Sequence, residues 1–126
     1  GVAPRPPAAA KAANAPVAGA VEGDLGRLLQ QGQNLIAKMG ETVSLAQRAQ
    51  LFASLSESLS DAMADLQSSG LQSTEFKKSL RDVTTSLDIS QKNIVDQLKQ
   101  NPMMSPMRAE FQKWVEELRA TAATAR

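Results

Sequence analysis

From Asp24 onward the apolar positions of this chain recur at spacings of three, four and seven, the period of a helix with one buried face. Leu25, Leu28, Leu29, Leu35, Ile36 and Met39 form the first stripe. Asp24 is placed to cap it, and Gly40 stands where a left-handed residue commonly ends a helix. Gly26 and Gly32 each weaken this element by about 1 kcal/mol relative to Ala, which predicts the least stable helix of the set.

A second helix opens at Thr42 or Ser44, and Ser44-x-x-Gln47 has the spacing of a capping box. Leu45, Phe52, Leu59 and Leu66 then repeat every seven residues, interleaved with Ala49, Leu55, Ala62 and Met63. Gly70 ends this run, with Leu71 set to make the apolar contact that accompanies such a stop. Ser73 or Thr74 caps a third helix, whose stripe is Phe76, Leu80, Val83, Leu87, Ile94 and Leu98. Asp88 and Lys92, acid first and four apart, add a few tenths of a kcal/mol along its surface. Asn101-Pro102 stops it. A fourth helix begins with Ser105 as cap and Pro106 in its first turn, and carries Met107, Phe111, Trp114, Val115 and Leu118 before fading into ATAATAR.

These elements predict an all-α fold: an antiparallel up-down four-helix bundle with two long central helices and shorter first and last ones. Leu45, Phe52, Leu87 and Leu98 should lie where all four meet. If the two outer helices are short, they cover only one end of the central hairpin. An apolar strip of Leu59, Met63, Leu66, Phe76, Leu80 and Val83 is then left open as a site for a partner helix or peptide.

Residues 1–22 break the pattern. They hold four of the six prolines and many alanines, the composition of a disordered or semi-stiff leader ahead of a bundle domain over 23–126. Gly1 in place of an initiating Met leads us to expect a processed or excised piece.

Composition narrows the chemistry. Aromatic residues are 3% of the chain, so the core has to be built from Leu, Ala, Val, Ile and Met. With no Cys and no His, the chain lacks a thiolate nucleophile, the commonest general base and the commonest metal ligands. Carboxylates on a helix face have no pocket to separate their pKa values, so no catalytic pair is expected, and no cofactor. A formal net charge of +1 with no basic cluster argues against nucleic acid. No apolar run approaches the roughly 18–20 residues needed to cross a bilayer.

Several features remain as candidates. Met39, Met103, Met104 and Met107 gather at one end, either as an adaptable binding patch or as plugs over the core. Trp114, the only tryptophan, is either an interface anchor or, with Phe111 and Leu118, core. Glu57, Asp61 and Asp65 share a helix face with Ser54 and Ser58 nearby, a surface for a basic peptide or simply a solvated one. The expected function is a non-catalytic protein–protein interaction module with a helix or peptide as partner. The alternatives are a membrane-surface module that dips its methionine end into lipid, and a self-associating coiled-coil subunit. The loops lack the Lys and Arg clusters that anionic lipid attracts, which weighs against the membrane.

Overall fold

The computed structural model describes residues 17–125, with side chains from residue 20. It consists of four long helices: α1 (Val17–Gly40), α2 (Leu45–Ser69), α3 (Thr74–Lys99) and α4 (Ser105–Thr124), with one 3-10 turn at Pro102–Met104 before α4. No strand occurs among the described residues. Each helix packs on its two neighbours in the order α1–α2–α3–α4–α1, and the diagonal pairs do not meet. Side-chain bonds tie neighbouring helices together. Gln33 reaches Ser56 and Ser60 across α1–α2, Ser54 and Ser58 reach Ser86 across α2–α3, and Arg119 reaches Asp88 across α3–α4. The result is the up-down bundle that the periodicity predicts.

The turns use the chemistry of the sequence, with two exceptions. Ser44 and Gln47 form the reciprocal capping box at the start of α2. Gly70 closes α2 with φ +86°, its amide bonded to the Leu66 carbonyl, and Leu71 is buried beside it. Ser73 caps α3 by accepting from the Phe76 amide at 3.0 Å. Gly40, by contrast, is the last helical residue of α1, and Gly70 is the one glycine with positive φ among the described residues. The Thr42 hydroxyl, which donates to the Met39 carbonyl at 2.7 Å, finishes α1 instead. Ser105 is likewise inside α4 rather than its cap. Asn101 does the capping there, accepting from the Met103 amide at the start of the 3-10 turn.

The core is the expected one of aliphatic side chains, with Phe52, Phe76, Phe111 and Trp114 added and Leu87 at its centre, fully buried. Leu45 is an exception at 76% exposed. It is the first residue of α2 and lies beyond the layer where the helices close on one another. The expected Asp88–Lys92 pair does not form either. Asp88 is drawn to Arg119 at 2.8 Å on α4, and Lys92 pairs with Asp96 at 3.0 Å.

The largest correction concerns α1. It is helical from Val17, inside the predicted leader of 1–22, with Val21 already packed on the core, while 1–16 of that leader lie outside the described residues. At 24 residues α1 is about 36 Å long, nearly the length of α2 and α3. Its Glu22 carboxylate accepts from the Leu71 amide at 3.3 Å, which sets the start of α1 level with the α2–α3 turn.

Candidate functional site

The full length of α1 changes the predicted docking strip. Leu59, Leu66, Phe76, Leu80 and Val83 are buried, and Met63 is half-buried against the core. There is no open two-helix strip, because Leu25, Gly26 and the partly buried Val21 of α1 cover the α2 side of it. The methionine patch divides in the same way. Met39 and Met104 are buried plugs, Met107 is half-buried, and only Met103, at 86%, is truly exposed.

Trp114 is core. Its indole N–H donates to the Leu28 carbonyl at 2.8 Å, its ring lies 5.9 Å from that of Phe111, and it rests directly on Gly32. A Cβ at Gly32 would collide with the indole, so only glycine admits the ring here. Among the acidic candidates, Asp65 accepts from the buried Ser79 hydroxyl and helps to join α2 to α3, whereas Glu57 and Asp61 stay exposed.

One part of the predicted strip does border a surface groove. On the α3 side the cover comes from α4, which ends at Thr124 and presents only the small Ala122, with Ala125 just after it, towards α3. A groove of about 440 Å³ opens there, lined by Phe76, Lys77, Leu80, Arg81, Thr84, Ala122 and Ala125. Its floor is Leu80 over the buried Phe76, and its α4 wall is alanine only. The Arg119–Asp88 ion pair, with Arg119 also donating to Gln91, joins α3 and α4 farther along the same seam.

The rim is positive because the nearby acids are already engaged. Asp82 pairs with Lys78 and Asp88 with Arg119, while Lys77 and Arg81 have no carboxylate partner among the described residues. Lys77 and Arg81 are four apart and therefore stack one above the other along the groove. Sequence reasoning found Phe76 and Leu80 but missed Lys77, Arg81, Ala122 and Ala125. The available signal was the pair of cations bracketing Leu80, opposite a helix end with no large side chain.

Among the described residues no cluster of three or more His, Cys, Asp or Glu is placed to hold a metal ion, and no helix is long and apolar enough to cross a membrane. The chain matches no protein-family model, no curated protein and no solved structure among those compared.

Proposed function

We propose that this protein is a non-catalytic interaction module that receives a partner helix or peptide in the α3–α4 groove. The observation that carries the reading is the groove itself: Leu80 at its floor over the buried Phe76, a wall of small alanines, and Lys77 and Arg81 along its edge, unpaired among the described residues. Helix-in-groove recognition uses such a floor for anchors at three- and four-residue spacing, with rim charges setting orientation and on-rate. The groove is about 10 Å long from Lys77 to Thr84, enough for two successive anchors of one helix. A bilayer suits it less well, since the surface is concave and among the described residues carries two cations, each worth about 1 kcal/mol near anionic lipid.

The test is affinity capture on the immobilised full chain, followed by titration of the purified candidate into isotope-labelled protein. Shifts should centre on Lys77, Leu80, Arg81, Thr84 and Ala122. Filling the groove from its half-buried rim by Thr84→Trp should weaken the complex about tenfold or more, the scale of losing one anchor. Perturbations confined to the Met103 loop would overturn the reading.

A further inference from the structure

The opposite flank of the bundle has a second surface with a different character. Between α1 and α2 runs a shallow trough of about 470 Å³. Ile36 and Phe52 form its floor, and its walls are the small residues Ala37, Gly40, Ala49, Ala53 and Ser56. Two charges flank it, Glu41 and Arg48, and neither is in an ion pair among the described residues. One turn before Ala49 on the same face of α2 stands Leu45, a large apolar side chain 76% exposed. The other exposed aliphatic side chain, Ile89 of α3, borders no such trough.

A knob, a trough of matching chemistry, one acid and one base on a single face make a self-complementary surface, which is what a two-fold contact requires. We infer that the α1–α2 face is a homodimer interface, with Leu45 of each copy seated in the trough of the other and Glu41 paired to Arg48 across the axis. The spacing fits. Leu45 and Ala53 lie about 6 Å to either side of Ala49 along α2, so a two-fold axis beside Ala49 places each Leu45 over the other copy's Ala53. Small side chains at the axis let the helices approach closely. Gly40 lies against the Arg48 stem, which brings Glu41 and Arg48 to a similar height near that axis. A purely acidic or purely basic partner would leave one of the two charges opposed, whereas a second copy satisfies both.

One apolar knob and one ion pair per copy make a weak dimer, with a dissociation constant on the order of 100 µM. Sedimentation of the full chain from roughly 10 µM to roughly 1 mM spans that range and should show the mass climbing from monomer towards dimer. Leu45→Glu should shift the association at least tenfold with helical content unchanged, since an acid suits the first turn of α2. Glu41→Arg and Arg48→Glu should each weaken the dimer, and the double variant should recover towards wild type. Lys77→Glu, in the other groove, should leave association untouched. A monomer at every concentration overturns the inference. So does a dimer indifferent to Leu45→Glu, or a double variant no stronger than the single ones.

Discussion

The end of the α2–α3 hairpin beside Gly70 has two flanks, and the bundle closes them differently. On one flank α1 runs alongside to the level of the turn, with Val21 and Leu25 packed inward and Glu22 holding the Leu71 amide. On the other, α4 ends at Thr124, and the last inward residues there are the small Ala122 and Ala125. The same pair of central helices thus has a sealed side and a grooved side. Helix length and side-chain size decide which is which, not the apolar stripe of α2 or α3 itself. A stripe specifies that a residue faces inward, but the neighbouring helix determines whether anything lies above it.

The strongest test of the packed layer beneath both flanks is Trp114→Ala, expected to cost about 3–5 kcal/mol because a buried indole and its hydrogen bond to α1 are both lost. Urea denaturation would measure it, and a loss under about 1 kcal/mol would mean that the α1–α4 contact is misplaced. Next in size is removal of residues 1–23. If the start of α1 seals the hairpin, its loss forfeits the half-burial of Val21 and the Glu22 bond, together about 2 kcal/mol. A leader that merely tethers the bundle would leave the denaturation midpoint where it was.

Glycine substitutions sharpen the comparison along α1 itself. Gly32→Ala should destabilise by about 1–3 kcal/mol, since the added methyl collides with Trp114. Gly26→Ala should stabilise by about 0.5–1 kcal/mol, because its Cβ would meet only Leu66 at an ordinary 3.8 Å and the helix gains propensity. Two losses would place both glycines in close contacts. The smallest effect belongs to the grooved flank. Lys77→Glu with Arg81→Glu should change stability by no more than about 0.5 kcal/mol, as exposed substitutions away from packing do.

Most of the fold was legible because the sequence punctuates it strongly. Three long stripes, the Ser44–Gln47 box, Gly70 and Ser73 all predict what the bundle contains. The start of α1 was not legible, for a physical reason. Alanine and glycine around Val17–Gly23 carry little apolar signal, and Gly23 and Gly26 interrupt what there is. Yet Val21 stands four before Leu25 and continues the same stripe, and Ala is the best helix former. Assigning that stretch to a leader shortened α1 and produced an open strip that the bundle does not have. Leu45 was misread for a related reason. It holds a seam position by spacing, but periodicity does not reveal where a bundle ends. Of the candidate site, Phe76 and Leu80 were visible as apolar positions, while the groove above them depends on where α4 ends relative to α3, a tertiary fact.

The central claim, that α1 is helical and docked along the whole hairpin, is tested most directly by amide hydrogen exchange at single-residue resolution. In a helix capped by Asp24, the first amide with a helical acceptor is that of Leu28. In α1 as it stands, amides from Val21 onward already have acceptors four residues back. The account predicts slowed exchange across Val21–Arg27, strongest at Leu25 where the side chain is fully buried. Random-coil exchange through Arg27, with protection appearing only at Leu28, would contradict it.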